Sequence, residues 1–396
     1  MYRKDLTFFR FFGKINTIIL GFCLIVSILT PGCSSSANAV SQPVTPASTA
    51  HSEMRGVWIS RFELDEWFTD ATVPQARQRI DAALDTCAVM HLNTVFYHAR
   101  AYADAYYASK QFPAAKAVAH LLEQGFDPLS YAIEAAHRHK IELHAWLNPY
   151  RIGQLTAATP LKDMANAVFA CKGDYYYSPS NAKARALVLD GVRELLAGYD
   201  IDGIHFDDYF YPTALPKAAQ PFEAVPEEIS VADWRRTQVD LLVSGVHSLA
   251  AQYGVAFGIS PAGNPDTCHN AMYADVARWL ATAGYVDYLC PQIYYGFLHQ
   301  THPFDAALEA WTRLPRAEGV RLIGGLALYK AWQGDDLYAG TGRTEWQTDP
   351  TVTARQVVSL RQNEQTDGFV LFRYAHLSEK DDYTAAVIAA LRDSIE

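Results

Sequence analysis

Cysteine is scarce in this chain, and its spacing suits no metal. Six cysteines occur among 396 residues, and none forms the close pairs that a structural zinc site needs. Positive charge is also short. Residues 1–33 hold four bases and one acid, which leaves 29 bases against 42 acids in residues 34–396. A body with a formal charge of −13 lacks the basic footprint of a nucleic-acid binder. No glycine-rich phosphate loop follows the first β-prone run, where Ser60-Arg-Phe-Glu63 stands instead. That argues against a dinucleotide-binding open sheet, and no organic cofactor or metal is expected. The longest apolar run, Ile18–Leu29, is about twelve residues, short for a membrane span.

That short run has the form of an export signal. Bases precede it, and Thr-Pro-Gly-Cys33-Ser-Ser-Ser follows it. Small residues before Cys33 resemble a lipoprotein cleavage box, with Cys33 as the lipidated first residue, although Thr30 stands where Leu is usual. Simple secretion, with cleavage after Ala-Asn-Ala39, is the rival reading. The expected organisation is a signal segment over 1–33, a flexible uncharged linker over 34–52 and one folded domain over 53–396. The expected place is the cell envelope, with membrane contact only through the N-terminal lipid. Cys87, Cys171, Cys268 and Cys290 then remain, as buried thiols or as disulfides of an exported protein.

What the chain has in abundance is a rhythm. Eight β-prone runs start at residues 55, 93, 141, 203, 255, 286, 321 and 368, with 31 to 62 residues between successive starts. Each interval has room for a crossover helix, and amphipathic patterns over 75–90, 127–140, 181–199, 232–253, 272–283, 304–312 and 352–363 fill them. A last helix over 383–395 follows run eight. Eight β-α units in about 340 residues predict an α/β fold, a single (β/α)8 TIM barrel. A doubly wound open sheet is the alternative. The segment Pro212–Glu228, with four prolines and no periodicity, reads as a lid or rim.

In such a barrel the active site lies at the carboxyl ends of the strands. Those ends are rich in polar and aromatic side chains. The densest is Asp202-Gly-Ile-His-Phe-Asp207-Asp208-Tyr-Phe-Tyr-Pro212, with two adjacent carboxylates ahead of aromatics. Carboxylates for proton transfer beside rings for stacking suit carbohydrate chemistry. Strand alternation predicts that Asp207 points inward and that Asp208 turns into the loop or props a neighbouring base. Asp207 is the principal catalytic candidate, with Asp208 or Asp104 as acid/base or support. Glu63 and Asp266 follow as partner carboxylates. Arg61, Arg100, Trp146, Asn148, Arg151, Tyr209, Gln292, Tyr294, Lys330 and Arg373 are candidates to hold the sugar. His98, His144 and His205 read as packed barrel histidines rather than ligands.

Six motifs in order carry a family likeness. They are Met54-Arg-Gly-Val-Trp-Ile-Ser60, Asn93-Thr-Val-Phe-Tyr-His-Ala-Arg100, Leu143-His-Ala-Trp-Leu-Asn-Pro-Tyr-Arg151, the 202–212 segment, Gly258-Ile-Ser-Pro261 and Tyr288-Leu-Cys-Pro-Gln-Ile-Tyr-Tyr295. Together they resemble the bacterial glycosyl-hydrolase-like family 10, exported and often lipid-anchored TIM-barrel proteins. The resemblance implies a glycosidase acting on a cell-wall glycan, since the family includes a division-site enzyme that cleaves peptidoglycan strands stripped of stem peptides. Gly203-Ile-His-Phe-Asp207 is also similar to the strand-four motif of the α-amylase clan, which implies a nucleophilic Asp. The 202–209 segment looks like a chitinase motif in which His205 replaces an Asp and Tyr209 replaces the catalytic Glu. Two other readings stay open: a non-catalytic glycan-binding barrel at the envelope, and a hydrolase of a different extracellular polysaccharide. The oligomeric state is not legible.

Overall fold

The computed structural model describes residues 52–396. The signal segment 1–33, with Cys33, and the linker up to residue 51 lie outside the described residues.

Eight parallel strands form the centre: β1 Met54–Ile59, β2 Thr94–Arg100, β3 Glu142–Leu147, β4 Gly203–Phe206, β5 Ala256–Ile259, β6 Tyr288–Leu289, β7 in two pieces (Arg321–Leu322 and Gly324–Leu326), and β8 Gly368–Leu371. Each pairs with its chain neighbours. The first piece of β7 pairs with β6 and the second with β8, and β8 pairs with β1. The sheet therefore closes on itself, which removes every exposed edge. This is the α/β (β/α)8 TIM barrel.

Helices cover the outside, including Val73–Val89, Pro128–Arg138, Ala182–Gly198, Val231–Tyr253 and Val352–Gln362. Ser230 caps the fourth of these through its side chain, and Gly254 ends it in the left-handed conformation, φ 69°. Three details differ from the sequence reading. The expected helix over 272–283 is two short ones, Pro265–Ala271 and Val276–Ala281. A helix over Arg61–Phe68 follows β1 directly, started by a capping box between Ser60 and Glu63. An antiparallel three-stranded sheet, Arg151–Gly153, Val168–Cys171 and Asp174–Tyr177, grows from the loop after β3.

The segment after β4 is a fixed rim. Arg235 donates from Nε and Nη2 to the two oxygens of Glu223, at 2.8 and 2.7 Å, and both side chains are fully buried. Arg235 also donates to Pro216 O and Ala218 O, so one guanidinium ties the proline-rich segment to its following helix.

Inward-pointing side chains fill the barrel. Gly203 and Gly258 make room: a Cβ there would stand 2.3 Å from the His144 ring and 2.1 Å from the Tyr288 ring. The space holds a buried polar chain. Trp58 Nε1 donates to His205 Nε2, His205 Nδ1 pairs with Tyr288 Oη, and Tyr288 Oη pairs with His144 Nδ1, at 3.2, 3.0 and 2.9 Å. An indole N–H only donates, so His205 accepts at Nε2 and carries its proton on Nδ1. Burial holds His205 well below the usual histidine range, as the neutral ring this chain requires. Cys87, Cys171, Cys268 and Cys290 are all free.

Candidate active site

A cavity of about 420 Å³ opens at the carboxyl end of the strands, a size suited to part of a saccharide chain. Asp207 and Asp208 lie on its wall. Strand β4 ends at Phe206, so the alternation that would send the second carboxylate away no longer applies. Asp208 stands in the loop just beyond the strand, as expected, and from there it lines the same cavity as Asp207.

Asp207 is 3% exposed. Its Oδ1 accepts from the Tyr209 backbone N–H at 3.2 Å, while Oδ2 is buried without a partner. Burial, and then the adjacent Asp208, push its carboxyl well above the ordinary range. Asp208 is half-buried, and burial raises it to about 6. The two carboxyls titrate as one coupled pair, and burial together with their nearness opposes ionisation of both at once.

Trp146 and Asn148 come from the end of β3. The His98 ring of β2 stacks on Trp146, and His98 Nε2 pairs with Asn148 Oδ1 at 3.0 Å. His98 Nδ1 accepts from the Arg61 backbone N–H, so Nε2 carries the proton of the neutral ring. Burial pulls His98 down to about 3 and keeps it neutral. Asn148 Oδ1 is thereby occupied, which leaves its amide N–H groups for a ligand. The Trp146 indole N–H sits beside Asp207 and opposes the rise in its pKa, yet it falls short of good hydrogen-bond geometry.

The remaining walls are aromatic and cationic. Arg151 lies 5.0 Å from the rings of both Tyr102 and Tyr209 and bonds Asp174 at 3.1 Å. Gln292 donates to Ser260 O at 3.0 Å. Tyr294 packs beside Phe372, and its burial keeps the phenol protonated.

Of the residues singled out from sequence, Asp207, Asp208, Arg61, Trp146, Asn148, Arg151, Tyr209, Gln292 and Tyr294 line this cavity. Six other polar candidates do not line it. Arg100 is buried, bonded to Tyr102 O and Pro149 O and packed over Phe112. Lys330 is spent on Tyr294 O and Asp336. Arg373 does not line the cavity and pairs with Glu63, which also accepts from the Ser60 and Ala375 backbone N–H groups, so that carboxylate is not free for a sugar. Asp104 lies off the cavity against Asp65, and burial raises it to about 6. Asp266 is exposed at the start of a short helix. The structure adds Trp58, Phe62 and Phe372 to the wall, and Tyr102, at the end of β2, lines it as its place in the sequence indicates. Trp58 and Phe372 point inward one step from Ser60 and Val370, a parity visible in the sequence that attention to polar strand ends passed over.

A family model described as "Glycosyl hydrolase-like 10" matches residues 53–336. The chain belongs to that family. Glycosyl hydrolase YngK of Bacillus subtilis (strain 168) is 30% identical over 374 residues, covering 86% of this chain and 72% of YngK. Glycosyl hydrolase DigH of Escherichia coli (strain K12) is 28% identical over 333 residues, covering 72% and 76%. Two solved structures share the fold. The PgaB (BpsB) glycoside hydrolase domain of Bordetella bronchiseptica has a TM-score of 0.58 at 15% identity, covering 87% of this chain and 99% of that domain. An α-amylase of Geobacillus thermoleovorans has a TM-score of 0.52 at 11% identity, covering 86% and 77%. The chain is thus a glycosidase by family.

Proposed function

We propose that this protein is an exported, lipid-anchored glycosidase that cuts the glycan strands of peptidoglycan, with Asp207 as the proton donor. The observation that carries the catalytic reading is Asp207 itself: a buried carboxyl on the cavity wall with one oxygen unpartnered, its pKa raised by burial and by the adjacent Asp208. Glycoside cleavage needs an acid for the leaving oxygen and a second, ionised carboxyl. Asp208, the adjacent carboxyl on the same cavity wall, would fill the second role as base or as a charge that stabilises the oxocarbenium-like transition state. Asn148 and Gln292 would hold hydroxyl or acetamido groups, and Trp146 and Tyr209 would offer rings to the sugar. The cell-wall substrate rests on the ordered sequence motifs, and the envelope location rests on the export segment ahead of Cys33.

The test is product release from intact and peptide-free peptidoglycan, read by mass spectrometry, beside Asp207→Asn. Sugar fragments from the wild type, reduced about 10²–10⁴-fold in the variant, support the assignment. If neither protein releases fragments but both bind the wall, the barrel is a glycan-binding module. Fragments from other polysaccharides alone would overturn the peptidoglycan substrate while leaving the glycosidase.

A further inference from the structure

Three adjacent strand ends bring Arg61, Tyr102 and Arg151 to one side of the cavity. Each guanidinium carbon lies 5.0 Å from the centroid of the Tyr102 ring. Second rings hold them in place as well: Phe62 lies 4.5 Å from Arg61, and Tyr209 lies 5.0 Å from Arg151. Both cations are therefore oriented before any ligand arrives, at little further entropy cost.

Their hydrogen bonding is incomplete. Among the described residues, the Arg61 side chain makes one bond, from Nη1 to Asp65 at 2.8 Å, and the Arg151 side chain makes one, from Nη2 to Asp174 at 3.1 Å. Both acidic partners reach solvent, with side chains 39% and 34% exposed, so they neutralise the arginines only in part. Arg151 Nε is buried with no acceptor at all. A guanidinium has five donors in a rigid fork, and the unused edges want a charged, planar acceptor. A neutral sugar hydroxyl satisfies such an edge poorly, whereas a carboxylate accepts two parallel bonds. Asp207 makes no hydrogen bond to either arginine; its Oδ1 accepts from the Tyr209 backbone N–H.

We propose that Arg61 and Arg151, arranged about Tyr102, recognise a carboxylate carried by the bound sugar and so set the specificity of this site for acidic glycans. The inference rests on the glycosidase reading above and names the substituent that reading leaves open. Two sources offer the same group: the lactyl ether on alternate sugars of peptidoglycan, and the ring carboxylate of a uronic acid.

The experiment compares kcat/KM, and binding by pull-down, on four substrates. These are peptide-free peptidoglycan strands, the same strands with carboxylates reduced to alcohols, chitin oligosaccharides, and a polyuronide. Reduction should cost about 10–100-fold, chiefly in KM, as expected for the loss of charge-assisted hydrogen bonds. Chitin oligosaccharides should behave like the reduced strands. In Arg151→Gln and Arg61→Gln the ratio of native to reduced substrate should fall toward one, with Arg151→Lys between. The substrate change needs no altered protein, so misfolding of a variant cannot decide the outcome. Equal cleavage and equal binding of native and reduced strands would overturn the clamp and leave the glycosidase standing. Preference for the polyuronide over the strands would keep the clamp and remove the peptidoglycan assignment. If nothing is cleaved, equal binding of native and reduced strands still overturns the clamp, and preferential binding of the native form still supports it.

Discussion

The His98 ring lies flat on the Trp146 indole, with centroids 3.6 Å apart and planes 11° from parallel. One neutral histidine therefore sets three parts of the cavity: the Trp146 face by stacking, the Asn148 amide through Nε2–H, and the Arg61 backbone through Nδ1. His98→Ala removes all three. Asn148 Oδ1 and the Arg61 N–H lose buried partners, so stability should fall by about 2–4 kcal/mol. KM should rise roughly tenfold as Trp146 and Asn148 lose their orientation. Urea denaturation and initial rates on an oligosaccharide measure the two effects, and an unchanged KM would refute the positioning role.

Activity should follow the carboxylate pair. Asp208 must be ionised and Asp207 protonated, so kcat/KM should rise through about pH 6 and fall where Asp207 releases its proton. Asp208→Asn should abolish the acidic limb along with most activity. Asp104 also titrates at about 6, but off the cavity, so Asp104→Asn should leave the limb in place. A limb that vanishes with Asp104→Asn instead would move the second carboxyl to that residue.

The pair should also cost stability. A carboxyl whose folded pKa lies above its unfolded value binds its proton more tightly when folded. Stability is then full below the unfolded pKa, near 4, and is lost as pH rises from there toward the folded pKa. Asp207→Asn removes this loss, so the variant should melt a few degrees higher than the wild type at pH 8, with a smaller difference at pH 4. Thermal melts at the two pH values check the sign, and a lower melting point for the variant at pH 8 contradicts it.

The Glu223–Arg235 pair should dominate the stability of the rim. Both groups are fully buried, so removing either partner strands a charge in a dry site. Arg235→Ala should cost roughly 3–5 kcal/mol and expose segment 212–229 to protease. A double change to apolar residues of similar volume should recover much of the loss, because the desolvation cost goes with the charges. If the single variant retains wild-type stability and protease resistance, the rim is held by other contacts.

The barrel was legible because its signal is periodic and local. Eight β-prone runs alternate with amphipathic helices, and Gly203–Phe206 and Phe304–Thr312 have the bounds that their patterns indicate. Asp207 was legible too, as a charge placed one inward step beyond an apolar strand. The fate of the other polar residues was not. Arg100, Lys330 and Arg373 look like sugar ligands in the chain, but each meets a partner that only the pairing of neighbouring strands brings near: Pro149 O, Tyr294 O and, across the β8–β1 closure, Glu63. The helix at Arg61–Phe68 turns Glu63 inward as a brace, and no local pattern distinguishes a brace from a catalytic acid. Sequence alone determined the fold class, the mouth of the barrel and one carboxylate, because strand parity and helix period are properties of neighbouring residues. Tertiary structure decided which side chains remain free to meet a substrate, because a hydrogen-bonding group is spent or spare according to what residues distant in sequence place within about 3 Å of it.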